Sequence, residues 1–252
     1  MSNSEWKLAN APIVEAVIDI DCDLPPGFEL AALEGPAREA FRAQYPKPRI
    51  RFLEMHRIES KIDEPAKHSA KRAIQALQFL HDDEKQLVQV RAQGFSFNRL
   101  APYTCLDDYL LEIEQAWRSF LGIASPVQIR RVQLRYINRI LLPMVEGRVE
   151  LKDYLTIGPR LPDEKKLIIM GFLNQHLVQE VDTGHQANII LTSQPAEGDR
   201  LPLILDNCVV APGPAEPENW PWILDKIQSL RMLKNRIFRN TLTERCLNLF
   251  QR

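Results

Sequence analysis

The run VQIRRVQLRYINRILLP, residues 127–143, alternates apolar and polar side chains with a period of two. A β-strand is the regular structure in which such a run acquires two distinct faces. Val132, Leu134, Tyr136, Asn138 and Ile140 share one face; Arg131, Gln133, Arg135 and Arg139 share the other, with Ile137 among them. A strand of this kind needs neighbours for its backbone and a layer to cover its apolar side. The economical solution is an antiparallel sheet with helices on one face, an α+β fold.

The rest of the chain supplies those parts. PIVEAVIDIDCDLP reads as a strand with Val14, Ala16, Ile18 and Ile20 on one face and Glu15, Asp19 and Asp21 on the other. ELAALEGPAREAFRAQYP has helical spacing, interrupted at Gly35-Pro36. RIRFLEMHRIESKI, AIQALQFLHDD and QLVQVRAQGFSFNRL read as three strands, and CLDDYLLEIEQAWRSFLGI as a helix with an apolar stripe. After residue 126 the order returns. The alternating strand is followed by a short helical piece, RVELKDYL, then by strands in KLIIMGFLNQHLVQEV, QANIILTSQP and RLPLILDNCVV. WPWILDKIQSLRMLKNRIFRNTLTERCLNLF closes the chain as a long helix. The pattern predicts two halves, 1–125 and 126–252, each strand–helix–three strands–helix, in one pseudo-duplicated domain. Whether the halves share a sheet or face each other stays open. The tract VVAPGPAEPENWP is expected to be a surface loop.

Bulk properties narrow the function classes. The 252 residues are 45% apolar and 26% charged, as in ordinary globular proteins, and carry a net charge of −1, which disfavours nucleic acid or an acidic membrane as the partner. No apolar run reaches the roughly 18–20 residues of a membrane span, and the first residues lack a signal-peptide layout. Four dispersed cysteines with no CxxC motif predict reduced thiols in a cytoplasmic protein, without a structural zinc site. The five histidines lack metal-ligand spacing, and no GxxxxGK[ST], GxGxxG or GxSxG motif occurs. No cofactor and no metal is called for.

What remains is charge on strand faces. Arg131, Gln133, Arg135 and Arg139 form a stripe of planar donors. Arg91 and Arg99 occupy the polar side of a segment read as one strand, with Asn98, like Asn138, on its apolar side. Such arginines either pair with Glu15, Asp19 and Asp21 across strands, or bind an anionic ligand.

Four landmarks in fixed order, LANAPIVEAVIDI, FSFNRLAPY, RRVQLRYINRILLP with a nearby DYL, and KNRIFRNTLTERCLNLF, resemble a sporadically distributed family of bacterial proteins of uncharacterised function. The resemblance spans nearly the whole chain; one departure is TCLDDY after APY, where the family pattern tends to carry Trp. It implies a bacterial, cytosolic protein serving accessory, defence or mobile-element functions. Its landmark positions fall on Glu15, Asn98, Arg99, Tyr103, Arg135, Tyr136, Asn138 and Arg139. Three functions follow as expectations. The first is a non-enzymatic binding module recognising a protein partner, a second copy or a small anionic ligand. The second is a metal-dependent enzyme in which Glu15 and Asp19 hold the metal and arginines neutralise phosphate. The third, disfavoured by charge, is a nucleic-acid-binding saddle.

Overall fold

A computed structural model of the chain describes residues 8–59, 67–162 and 166–251. In chain order these form β1 (Ile13–Asp23), α1 (Glu34–Phe41), β2 (Lys47–Glu59), β3 (Lys67–Leu80), β4 (Gln86–Arg91), β5 (Gly94–Leu100), α2 (Leu110–Ala124), β6 (Gln128–Pro143), β7 (Leu173–Gln179), β8 (Gln186–Ser193), β9 (Arg200–Ala215), α3 (Trp220–Thr241) and α4 (Glu244–Leu247). The fold is α+β. All nine strands lie in one antiparallel sheet, in the order β2-β3-β4-β5-β1-β6-β9-β8-β7. The alternating strand read from VQIRRVQLRYINRILLP, β6, runs beside β1 near the middle, with Ile18 opposite Leu134 and Asp19 opposite Gln133. The rest of the sheet fans out to either side of this pair. No described helix is long and apolar enough to cross a membrane.

Alternate residues of the strands meet the helices in one core. Ile18 and Ile20 of β1, Phe95 and Phe97 of β5, and Leu134, Tyr136 and Ile140 of β6 are buried there with Ile113, Trp117 and Phe120 of α2 and Ile223, Ile227 and Leu230 of α3. Phe95 packs against Trp117 and Phe120 at centroid distances of 5.9 and 5.8 Å. The Trp117 indole N–H, which burial would otherwise leave without water, donates to the Pro217 carbonyl at 3.0 Å. Each large side chain fully buried in this way contributes roughly 1.5–3 kcal/mol. At the start of α3 the Asn219 side chain accepts from the Trp222 N–H, and Pro221 sits where a missing N–H costs nothing.

Several sequence expectations change. QLVQVRAQGFSFNRL is a hairpin, β4–β5, turning at Ala92-Gln93, so this part of the chain supplies one strand more than expected. Gly94 makes the reversal possible: its φ is +136°, and a Cβ there would stand 2.2 Å from the Ile20 carbonyl oxygen. The two-residue turn also shifts the alternation. Val88 and Val90 share the core face with Phe95 and Phe97, while Gln89 lies opposite Ser96 on the other face. Asn98 is therefore on the polar face, and Arg99 on the helix-covered one. This reverses both assignments made for a single strand.

The tract VVAPGPAEPENWP is strand as far as Ala215, and its prolines are tolerated because β6 and β9 shift register between Ile129 and Arg131. Gly213 permits the approach, since a Cβ there would lie 2.4 Å from the Ile129 carbonyl oxygen. The strand expected over KLIIMGFLNQHLVQEV begins only at Leu173. Gly35-Pro36 falls in the first turn of α1, after a 3-10 turn at Leu30–Leu33, so it starts a helix rather than interrupting one. The segment between β2 and β3, 60–66, lies outside the described residues.

Candidate functional site

The face of the central strands turned away from the core carries the charged residues singled out in the sequence, and they bond to one another. The Arg131 Nε donates to the Asp21 carboxylate at 2.7 Å, and Arg91 reaches Asp21 at 2.8 Å and Asp19 at 3.1 Å. Asp19 also accepts from the Ser96 hydroxyl and, at 3.3 Å, from Gln133. Beside this cluster runs a relay of side chains across four strands: Gln78 donates to Gln89 at 2.9 Å, Gln89 to Asn98 at 2.8 Å, and Asn98 to Glu15 at 2.8 Å. Arg135 grips Asp206 of β9 through its Nε and a terminal nitrogen, and this pairing holds the guanidinium above its ordinary pKa. Arg139 pairs with Glu197.

The chemistry of this face follows from that inventory. Four carboxylates, Glu15, Asp19, Asp21 and Asp206, stand among three guanidiniums, Arg91, Arg131 and Arg135. Each guanidinium already holds an acid. An incoming phosphate would have to displace a carboxylate that is part of the fold, and a divalent ion would have to break bonds from Asn98, Ser96 and Gln133. Among the described residues no group of three acidic, histidine or cysteine side chains is disposed to hold a metal. Arg99 is elsewhere, on the core side, bonded to Asp83 at 3.3 Å with its guanidinium 5.6 Å from the Tyr109 ring centroid.

The helix-covered side holds a cleft instead. It lies between β6, the C-terminal half of α3, the loop around Tyr103 and the segment entering β1, and spans about 750 Å³ of empty space, counting the open solvent at its mouth. The entering segment is fastened at both ends of its path. The Asn10 N–H donates to the Phe250 carbonyl at 2.9 Å, and the Arg139 N–H to the Pro12 carbonyl at 2.8 Å. Tyr103, Tyr136 and Asn138, three landmark positions of the sequence, line the cleft together with Arg231, Lys234 and Asn235.

The polar groups of the cleft are ordered. The Tyr103 and Tyr136 hydroxyls are 2.8 Å apart with their rings edge to face. Asn138 is anchored through its amide nitrogen to the carbonyls of Leu205 at 3.0 Å and Tyr136 at 3.3 Å, so this buried Asn satisfies backbone of its own and the neighbouring strand. Arg231 clasps Asp107 through both terminal nitrogens, at 2.9 and 3.1 Å. The Lys234 ammonium lies 3.8 Å from the centroid of the Tyr136 ring, and no carboxylate pairs with it among the described residues. Next to Tyr136 in register on β9 is Asn207, fully buried, whose amide nitrogen and oxygen have no hydrogen-bond partner.

Titration reflects this environment. Burial, and secondarily the Arg231 charge, pull the Lys234 ammonium down to about 7. Burial raises the Tyr136 phenol to about 12 and, with the neighbouring phenol, lifts Tyr103 well above the ordinary range. Both phenols are therefore proton donors at neutral pH. The thiols of Cys22, Cys208 and Cys246 are also raised, mainly by burial, to about 12, about 11 and about 12. Thiols so raised are inert packing groups rather than nucleophiles.

Lys234 had a signal in the sequence. It is four residues after Leu230 and four before Phe238, both buried, and so stands on the apolar stripe of α3. Asp206 was missed because β9 reads as an apolar strand until its register against β6 is known. Comparison with family models, curated proteins and solved structures yields no match.

Proposed function

We propose that this chain is a non-enzymatic binding module of a bacterial accessory system, built from two halves around the β1–β6 pair, and that it takes a small anionic ligand in the helix-side cleft. The observation that carries the reading is Lys234: a cation over the Tyr136 ring, inside a concavity, with no carboxylate among the described residues to neutralise it. Desolvating such a group costs free energy that a fold does not otherwise recover. An anionic ligand would recover it, with Asn235 and the Tyr103–Tyr136 hydroxyls as further polar contacts. The sheet-face arginines serve the fold in this reading, since each already has its acid.

The test is thermal unfolding of the wild-type protein with 10 mM glycolate or inorganic phosphate, against Lys234→Met. One of the two anions is expected to raise the wild-type midpoint by about 2 °C or more, and the variant's by nothing measurable. Equal shifts in both proteins would place the anion elsewhere.

A second reading is favoured by the sheet's edge. β7 is an outermost strand with Leu173 and Leu177 exposed at 67% and 77%, and Met170 and Val181 beside it are more exposed still. An uncovered apolar edge of this kind suits a protein partner or a second copy of the chain. Light scattering at micromolar concentration separates monomer from dimer.

A further inference from the structure

We infer that Lys234 is a nucleophilic amine, and that the cleft captures a small aldehyde or keto acid covalently, as a Schiff base. The inference rests on the ligand-binding reading of the cleft and adds the chemistry of capture.

The geometry is that of an amine held ready. Lys234 projects from α3 into the cleft, over the Tyr136 ring, and among the described residues no carboxylate pairs with it to keep it charged. The charged and titratable groups around it come from every side of the cleft. Arg231 precedes it by one turn of α3 and is itself clasped by Asp107; Tyr103 and Cys105 come from the loop before α2; Tyr136 comes from β6. The only formal charge among them not neutralised within the cluster is Lys234's own. Burial and Arg231 both disfavour the ammonium, opposing the attraction of the ring face, so that a large share of Lys234 is neutral near pH 7. An exposed lysine has less than about a thousandth of its amine free at that pH. Desolvation next to another cation is a general way of activating a lysine toward carbonyls.

The step balances without any further reactant. The neutral Nζ attacks the carbonyl carbon, forming an N–C bond, and the carbonyl oxygen becomes a hydroxyl by gaining a proton. Both amine protons end on that oxygen, directly or through solvent: the first makes the carbinolamine hydroxyl, and the second lets it leave as water while the C–O bond breaks and the C=N bond forms. Of the two phenols, both protonated at neutral pH, one donates to the other at 2.8 Å, and the remaining hydroxyl proton is the cleft's donor for the carbonyl oxygen. An acid group on the ligand would offset the positive charge that the imine carries once protonated.

The experiment incubates the wild-type protein with glyoxylate, with and without cyanoborohydride, and maps the reduced adducts by peptide mass spectrometry between pH 6 and 10. At pH 7 Lys234 is expected to be labelled at least about tenfold faster than Lys152, whose side chain is 82% exposed. That preference should shrink as pH approaches 10, where exposed amines are also neutral. Lys234→Arg, which keeps the cation but cannot form the imine, should lose this adduct and leave the others. Labelling that merely follows exposure overturns the inference. In that case a rise in the wild-type unfolding midpoint with glycolate or phosphate, lost in Lys234→Met, would leave the binding reading standing, and no rise with either anion would remove both.

Discussion

The Lys234 ammonium and the Tyr136 ring, 3.8 Å apart, join the long C-terminal helix to the central strand whose alternation dictates the fold. The same tyrosine donates to or accepts from Tyr103 and lies beside the unpartnered amide of Asn207. Lys234 is thus a charge on the apolar stripe of α3, where a methionine would pack at no electrostatic cost.

Lys234→Met should consequently stabilise the protein in a pH-dependent way. The amine titrates near pH 7 in the folded chain and near its ordinary 10.5 when unfolded. Between those values the unfolded state binds more protons, so wild-type stability rises with pH across that window, and the penalty is complete below it. The variant lacks this slope. Urea unfolding should find it more stable than wild type by about 1–3 kcal/mol at pH 6, the difference closing toward pH 10. A constant difference across that range would contradict the assignment.

Asp21 is a second place where charge is committed to the fold. Its side chain is 2% exposed and accepts from both Arg91 and Arg131. Asp21→Asn keeps the volume but removes the charge that balances two guanidiniums, and should cost about 2–4 kcal/mol in chemical denaturation. A loss below about 0.5 kcal/mol would show that solvent, rather than Asp21, satisfies those arginines.

Arg135 and Arg139 separate by burial of their acids. The Asp206 side chain is 11% exposed, whereas that of Glu197 is 58% exposed. Arg135→Ala strands a buried carboxylate and should cost about 1–2 kcal/mol, most of it restored when Asp206→Ala is added. Arg139→Ala should change stability by less than about 0.5 kcal/mol. Neither arginine substitution should alter the response to glycolate, because neither side chain lines the cleft.

Gly94→Ala tests the hairpin. The added methyl would meet the Ile20 carbonyl oxygen at 2.2 Å, on a backbone conformation that L-residues avoid. Separation of β5 from β1 is the relief available, so the variant should lose more than about 3 kcal/mol or fail to accumulate as soluble protein. Near-wild-type stability would mean that the turn can relax locally.

The amino-acid sequence by itself determined the α+β class, the two-faced character of β1 and β6, and the order of most elements, because each of these is a local periodicity read along the chain. It also placed Glu15, Asp19 and Asp21 on the face opposite the core. Strand neighbours were decided only by tertiary structure. That Asp206 meets Arg135, that Arg91 reaches Asp21, and that all nine strands share one sheet depend on register between segments far apart in the chain. Parity was equally invisible: a two-residue turn at Ala92-Gln93 exchanges the faces of Asn98 and Arg99, and only the close approach at Gly94 reveals it. The cleft belongs wholly to tertiary structure as well. Its polar groups come from a loop, a strand and a helix, and only packing of α3 over β6 sets the Lys234 cation against Tyr136.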